Sequence, residues 1–506
     1  MSIAPLGPGL ASILLLPWLA ARAEEPAPAP RPTITVRAVR PDRELAALLR
    51  LFEGSRTASP AAALSAWKRA SREPKRLGKV GDALLATLNP AMVREFESID
   101  AAEVTFSLAP GSDRWRWRAW FPHDDGTLAA LGPTADLSGG AVEPPLGDSR
   151  VDRFPGPDLV LLARGPAGLF AANSREQLAE ALATAAVPRP VPPVDSGWVV
   201  RVDPAARDTW TTPAGRRWAE AARMTRCIGL TGQLQFVRQS LVAALVGRFE
   251  GDTPVGPALD PDWLDAIPTR GPLAAVAFRV DPRADAWARL FDLVDRVERT
   301  DPARANVAPA RFRLALAARA VGIRLEADVW PHLLGVSAWV GATAGRPDRA
   351  VVALHLDGAA PALGLVAGLK GARAGDGADE VVDLGPVAGG PLRVVRRRGT
   401  VFVAWGEHGW PATREALDDP ARSARPWLGR GRTGALPTRV GAVWLDQLPL
   451  IPRDTPLAAT LAESPPLRWA GANEGNRTLD EVWLGDLDAT VRRFLDRLPL
   501  DPPPDR

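Results

Sequence analysis

Two distant stretches of this chain predict the same succession of strands and helices, and this repeat limits the folds open to the chain more than any other feature. The first stretch predicts strands over 103–108, 114–121 and 159–170, the last a pair turning at Gly165-Pro166, and helices over 126–131 and 175–182. The second predicts strands over 336–342, 351–356 and 392–404, the last a hairpin turning near Arg398-Gly399, and helices over 361–369 and 412–417. Phe402 follows Phe170 by 232 positions and Leu417 follows Leu182 by 235, so the spacing is nearly constant.

The repeated unit has the order β-β-α-β-β-α. Short connections of this kind favour antiparallel strands, and amphipathic helices must bury their apolar side against the sheet. The sequence therefore predicts the α+β class, with tandem β-β-α-β-β-α-like modules, antiparallel sheets and helices on one face.

The composition describes an ordered protein with several folding units. The 506 residues include 46% hydrophobic and 24% charged residues, which are average values for a globular protein and exclude a disordered or collagen-like chain. Proline-rich segments divide the chain. The predicted parts are a signal peptide (1–23), a Pro-rich tether (24–32), an N-terminal α+β unit (33–187), a Pro-rich linker (188–196), a central α+β unit (197–310), a second repeat of the N-terminal-type unit (311–420) and a C-terminal strand–helix unit (438–500).

The first residues predict export. An apolar run over 8–20 is followed by Ala21-Arg22-Ala23, which is typical of a signal peptide cleaved after Ala23. No later stretch reaches 18 uninterrupted apolar residues, so we expect no membrane insertion and a location in the periplasm or outside the cell. Cys227 has no second cysteine to pair with and is predicted to be a buried small side chain.

The charge balance argues against nucleic acid as a partner. There are 62 Lys+Arg against 59 Asp+Glu, a net charge of +3, and only four of the basic residues are lysines. An alanine- and arginine-rich chain that is poor in lysine is typical of a GC-rich bacterial genome. Arginine is therefore weaker evidence for recognition here than in an average chain.

One strand nevertheless is a candidate binding surface. In the segment 114–121, Arg114, Arg116, Arg118 and Trp120 share one face of the predicted strand, with tryptophans, alanine and phenylalanine on the other. Such a face suits an anionic polymer such as a cell-wall glycan. Alternation alone also explains it, as a half-buried strand with solvated arginines.

Other candidate chemistry is sparse. His355 and Asp357 are two apart on a strand, which is a usable metal spacing, but Asp357 before Gly358 also fits a helix cap. The remaining histidines are His123, His332 and His408. Asp260-Pro261-Asp262 lacks the glycine and glutamate of a calcium loop and predicts a helix start with Asp260 as cap. The G-x-G-x-x-G over 429–434 lacks the flanking strand and helix of a dinucleotide site. We predict no cofactor, no metal and no identified catalytic residue.

The segment Gly322-Ile323-Arg324-Leu325-Glu326-Ala327-Asp328-Val329-Trp330-Pro331-His332-Leu333-Leu334-Gly335, followed by strand, strand and helix, resembles a unit repeated in uncharacterised exported bacterial proteins. The resemblance extends over about residues 195–420, and Val336 stands where a second glycine is usual. It implies an α+β repeat protein of the cell envelope and supplies no catalytic residues.

Taken together, these features favour a non-catalytic exported envelope protein that binds or scaffolds a partner, either an envelope protein or a glycan. The alternative is an exported hydrolase that uses carboxylates. Among 59 acidic residues the sequence identifies no catalytic pair for it.

Overall fold

A computed structural model of the protein shows a mixture of helices and antiparallel strands. It describes residues 33–57, 62–63, 65–66, 101–108, 115–121, 141–154, 160–165, 168–184, 196–202, 227–237, 239–249, 258–280, 291–292, 294–295, 298–299, 307–320, 322–343, 346–369, 379–387, 389–428, 437–448 and 455–498. The predicted signal peptide and tether lie outside these residues. Among the described residues, no helix combines the length and the apolar character that crossing a membrane requires.

The chain forms two compact units. The first comprises Met1–Arg216, Ile228–Arg238 and Leu495–Arg506, and the second comprises Arg217–Cys227 and Gln239–Phe494.

The described part of the first unit contains an antiparallel sheet and helices. Its strands are β1 (Thr33–Val39), β2 (Ala101–Leu108), β3 (Trp115–Phe121), β4 (Ala141–Leu146), β5 (Ser149–Phe154), β6 (Val160–Gly165), β7 (Gly168–Ala172), β8 (Gly197–Val202) and β9 (Cys227–Val237), and its helices are α1 (Pro41–Arg50) and α2 (Arg175–Thr184). Pairing places them in the order β9-β8-β1-β2-β3-β7-β6-β5-β4.

Helix α2 covers part of this sheet. It begins after Ser174, whose hydroxyl accepts a hydrogen bond from the backbone N–H of Gln177. Leu178 and Ala181, one turn apart, pack against buried residues of β5, β6 and β7, including Phe170. The core of this unit therefore lies between α2 and the strands next to it.

The second unit is also an antiparallel sheet. Its strands are β10 (Ser240–Phe249), β11 (Pro272–Arg279), β12 (Leu333–Thr343), β13 (Arg346–Leu356), β14 (Glu380–Val387), β15 (Gly390–Arg397), β16 (Thr400–Trp405), β17 (Arg439–Val443), β18 (Leu467–Glu474) and β19 (Arg477–Leu484). Its helices are α3 (Ala310–Ala320), α4 (Ala359–Ala367), α5 (Gly409–Asp418), α6 (Arg425–Leu428), α7 (Pro456–Leu461) and α8 (Leu487–Arg497), the last of which ends beyond the boundary of this unit. The strand order is β10-β19-β18-β17-β11-β12-β13-β16-β15-β14.

Helices lie against both faces of this second sheet, whereas the sequence predicts them on one face only. Helix α4 packs on the face that carries Val336 and Val401, and α5 packs on the opposite face, where Trp410 contacts Phe402. Strand β16 shows the reason, since the consecutive residues Val401 and Phe402 point to opposite faces and both are buried. Because this strand has apolar side chains on both faces, helices must pack on both faces to bury them.

Several predicted elements are present with shifted bounds. The predicted strand over 351–356 extends back to Arg346, and the predicted helix over 412–417 begins at Gly409. The turn between β15 and β16 is at Arg398, which has φ 55°, next to Gly399. The predicted helix over 126–131 lies outside the described residues. Strands β4, β5 and β14 are additional elements that the predicted β-β-α-β-β-α pattern does not contain.

Candidate functional site

A cavity lies beside helix α1 of the first unit. The helix has Pro41 at its first position, where no backbone hydrogen bond is lost, and Asp42 and Glu44 in its first turn, where the helix dipole favours acidic groups. The residue before it, Arg40, has a left-handed backbone with φ 47°, which is uncommon outside glycine. The cavity has a volume of about 390 Å³. It is lined by Asp42, Arg43, Glu44, Ala46, Ala47 and Arg50 of the helix and by Ser196 and Phe236.

Glu44 is the buried acid of this cavity, with a relative exposure of 2%. Its Oε2 accepts a hydrogen bond of 3.3 Å from the backbone N–H of Phe236. Burial raises the pKa of Glu44 above the ordinary value, although hydrogen bonds from the Ser196 side chain and the Phe236 backbone act in the opposite direction. The carboxyl therefore holds its proton more strongly than a solvated glutamate does.

Asp42 behaves in the opposite way. Burial alone would raise the pKa of Asp42, but the hydrogen bond and charge of Arg40 bring it below the ordinary value. Arg40 donates from Nε to Oδ1 at 3.0 Å and from Nη2 to Oδ2 at 2.8 Å. Because residues two apart on a helix point in different directions, Asp42 and Glu44 flank the cavity and do not face each other.

The cationic groups of the cavity are Arg43 and Arg50. Both side chains are exposed, and within the described part of the chain neither guanidinium forms an ion pair. Asp42 pairs with Arg40 and Glu44 is buried, so the exposed charges at the mouth of the cavity are those of Arg43 and Arg50. Electrostatically, the site suits an anion.

A second polar cluster lies inside the second unit. His355 of β13 is 5% exposed, and its Nε2 is 2.9 Å from Oγ of Ser337 on β12, while its Nδ1 is 3.3 Å from Oγ1 of Thr400 on β16. Burial lowers the pKa of His355 to about 3, so the imidazole is neutral at pH 7.

An aromatic ring closes this cluster. Trp263, in the 3-10 helix Pro261–Ala266, stacks on His355 with ring centroids 4.6 Å apart and planes 6° apart. Gly335, directly across the sheet from His355, leaves room for this ring, because a Cβ there would lie 2.0 Å from Trp263 Cζ3. Although serine, histidine and threonine are the residue types of nucleophilic sites, His355 and Ser337 are buried here. Their hydrogen bond satisfies two buried polar side chains.

The predicted polymer-binding strand is β3. Arg116 pairs with Glu176 at 3.1 Å and Arg118 pairs with Glu180, both on α2, and the two arginine side chains are largely covered. Trp120 packs at the edge of the core beneath the same helix. Arg114 lies outside the described residues. A polymer on this face would therefore compete with carboxylates of the same unit for Arg116 and Arg118.

The three histidines in the described part of the chain, His332, His355 and His408, share no binding partner. His332 Nδ1 is 3.1 Å from Oδ1 of Asp357 in an exposed pair, whereas His355 is buried with other partners, so the predicted spacing of His355 and Asp357 joins no common site. Asp357 is not the cap of α4, since that position is Gly358 and no side-chain hydrogen bond caps the helix. His408 precedes α5, and His123 lies outside the described residues.

Among the described residues, no group of three or more histidine, cysteine or acidic side chains is arranged to hold a metal ion. The segment at Asp260 is a helix start as predicted, because the Asp260 carboxylate accepts a hydrogen bond from the N–H of Asp262 at 3.0 Å, with Pro261 at the first position. The glycine-rich loop over 429–434 lies outside the described residues.

The cavity beside α1 has no local signal in the sequence. The start of its helix is indicated by Arg40-Pro41-Asp42. Ser196 and Phe236, which complete the cavity, are 152 and 192 positions from Glu44. No local pattern could have joined them.

Comparison with known proteins gives little further information. No protein-family profile matches the chain, and no curated protein matches it. Among solved structures, crystal form III of TP0453 is 8% identical with a TM-score of 0.22, covering 44% of this chain and 77% of that one. Crystal form I is 8% identical with a TM-score of 0.22, covering 42% and 74%. Similarity at this level carries no argument about function.

Proposed function

We propose that this chain is a non-catalytic exported envelope protein that binds a partner, an envelope protein or a glycan. The observation that carries the proposal is the cavity beside α1, in which Arg43 and Arg50 are available to a ligand while the acidic groups are neutralised or buried. Export follows from the predicted signal peptide over 1–23.

The proposal includes a tandem architecture in which each compact unit is one copy of the same module. The strand orders support it. Eight neighbouring strands of the second sheet have the order β18-β17-β11-β12-β13-β16-β15-β14, and eight of the first have the order β9-β8-β1-β2-β3-β7-β6-β5. When β11 to β18 are numbered in chain order and matched with β1, β2, β3 and β5 to β9, these two orders are the same. Such agreement across eight strands is difficult to obtain except by duplication.

Register gives a second line of support. Phe170 on β7 pairs with Ala163 on β6, and Phe402 on β16 pairs with Val395 on β15. Both phenylalanines thus occupy the corresponding strand position, 232 residues apart. Helices α2 and α5 then follow β7 and β16. On this proposal each copy begins at β1 or β11 and includes β9 or β18, which differs from the boundaries 33–187 and 311–420 expected from the sequence.

Partner capture tests the proposed function. Mature protein from Glu24 onward, carrying a photoactivatable crosslinker because lysines number only four, would be irradiated with an envelope extract of its own host. We expect one protein or glycan to be captured by the folded protein and not by the same protein denatured in urea. Equal capture by both forms, or none, contradicts the proposal.

The same experiment tests strand β3 as the binding surface. If β3 binds the partner, capture should be sensitive to salt and should be lost when Arg114, Arg116 and Arg118 are replaced with glutamine. Capture that persists in this variant assigns binding to another surface.

A second candidate function, an exported hydrolase that uses carboxylates, is favoured by one observation. The pKa of Asp42 is lowered and that of Glu44 is raised around the same cavity, which is the division of roles that acid–base chemistry needs. Incubation with purified envelope glycans, followed by an assay for new reducing ends, tests it. Activity that is lost in Glu44→Gln supports the hydrolase, and absence of product in the wild type rejects it.

A further inference from the structure

The face of α1 that lines the cavity has a defined shape. At 100° per residue, Arg43, Ala46, Ala47 and Arg50 fall on one side of the helix. The two arginines are seven residues apart, which places their Cα atoms about 10 Å apart along the helix axis. Between them the two alanines provide a short apolar floor.

The opposite wall comes from two strands of the same unit. Ser196 precedes β8 and Phe236 lies on β9, and both line the cavity. The Phe236 ring is supported by Trp198, with centroids 6.4 Å apart in an edge-on arrangement. This wall is therefore partly aromatic and held in position by packing.

The charges around the cavity are not equivalent. Asp42 is engaged by two hydrogen bonds from Arg40, and Glu44 is buried and accepts a hydrogen bond from the Phe236 backbone. Arg43 and Arg50 are exposed residues on the face of the helix that lines the cavity, and they have no ion-pair partner among the described residues. The volume of about 390 Å³ is within the range of small-molecule sites, roughly 300–1,000 Å³.

We infer that this cavity binds a small organic dianion whose two acidic groups, carboxylate or phosphate, are held by Arg43 and Arg50 while its apolar middle contacts Ala46, Ala47 and Phe236. Guanidinium groups suit both kinds of acidic group because they donate paired hydrogen bonds. The inference goes beyond the proposed binding function, because it assigns a small ligand to the cavity and does not depend on a macromolecular partner.

Calorimetric titration of the mature protein tests the inference with defined probes. Sebacate is a linear dicarboxylate whose extended length is comparable to the separation of the Arg43 and Arg50 Cα atoms, and its neutral diamide has the same shape without charge. We expect saturable binding of sebacate and none of the diamide. A bisphosphonate of matched chain length distinguishes phosphate from carboxylate, since the tighter of the two anions identifies the preferred acidic group.

Variants locate the site. Arg43→Gln and Arg50→Gln should each weaken sebacate binding about tenfold or more, because each removes charge-assisted hydrogen bonds. Ala47→Leu should abolish binding by filling the floor. The matched control is Arg164→Gln, an exposed arginine on β6 of the same unit, which should bind as the wild type does. Circular dichroism shows whether each variant is folded. If Ala47→Leu does not fold, the two arginine variants are enough to test the site.

Three results would overturn the inference: no saturable heat with either anion, equal binding of sebacate and its diamide, or equal affinity in Arg43→Gln and Arg164→Gln. Partner capture distinguishes this failure from failure of the proposed function. If capture is retained while sebacate does not bind, only the ligand class is wrong. If sebacate binds but nothing is captured, the macromolecular partner is wrong and the small-ligand site stands.

Discussion

His355 makes the stability of the second unit depend on pH in the weakly acidic range. Burial lowers its pKa to about 3 from an ordinary value of 6.5. The unfolded chain therefore binds a proton between these two values and the folded chain does not, so stability is fully present above pH 6.5 and falls as the pH is lowered towards 3.

The magnitude follows from this difference. Each unit of pH in that window costs about 1.4 kcal/mol for one proton. Between pH 7 and pH 5 the loss from His355 is about 2 kcal/mol, since titration of the unfolded chain begins only near its own pKa. Such a loss is a large part of the stability of an ordinary domain, which is roughly 5–15 kcal/mol.

The control is His355→Gln, whose amide can still hydrogen-bond with Ser337 and Thr400 but does not titrate. Urea unfolding at pH 7 and pH 5, read by hydrogen exchange of peptides from β13 and β16, reports this part of the second unit. We expect the wild type to lose about 2 kcal/mol more than the variant between the two pH values. Equal losses in both proteins would refute the argument that burial keeps this imidazole neutral.

Three further predictions concern other sites. The folded protein binds the Glu44 proton more tightly than the unfolded chain does, so the stability of the wild type should fall relative to that of Glu44→Gln as the pH rises above about 4.5. A constant difference between the urea midpoints of the two proteins at all pH values would contradict this. Gly335→Ala should destabilise by about 1–3 kcal/mol in thermal unfolding, because a Cβ would overlap the tryptophan ring above it. Its control, Gly364→Ala in helix α4, has open space around a Cβ and should instead stabilise by about 0.5–1 kcal/mol. Asp480→Asn should lower the free energy of unfolding in urea by about 1–2 kcal/mol, because the partly buried Arg439 donates to both carboxylate oxygens at 2.8–3.2 Å. An unchanged urea midpoint would show that this ion pair contributes nothing to stability.

Periodicity predicted the elements whose signal is local. The hairpin of β15 and β16 and the helix start at Asp260 both follow from residues within a few positions of each other. Strand β14 was not predicted, since Gly385 and Pro386 interrupt its apolar pattern and a register shift between Asp383 and Pro386 accommodates them. Which strands become neighbours is decided by long-range packing, which a single sequence does not display.

The candidate site was less accessible to prediction than the fold. Alternation on β3 placed Arg116 and Arg118 on one face, as the structure has them, but nothing near them in sequence indicated that Glu176 and Glu180 would pair with them. The burial of Glu44 likewise depends on Ser196 and Phe236, which are distant in the chain. Side chains on distant elements set both the charge and the accessibility of these groups.

The position of β1 has a consequence for the order of folding. This strand lies between β2 and β8, with Ile34 opposite both Phe106 and Val202. A chain synthesised from its N-terminus therefore cannot pair both edges of β1 until residue 202 is available, and until then one edge of this strand has no partner. Contacts between residues so far apart form slowly, and an open strand edge is prone to pair with other chains. We therefore expect the nascent first unit to be prone to pairing with other chains until β8 has been synthesised.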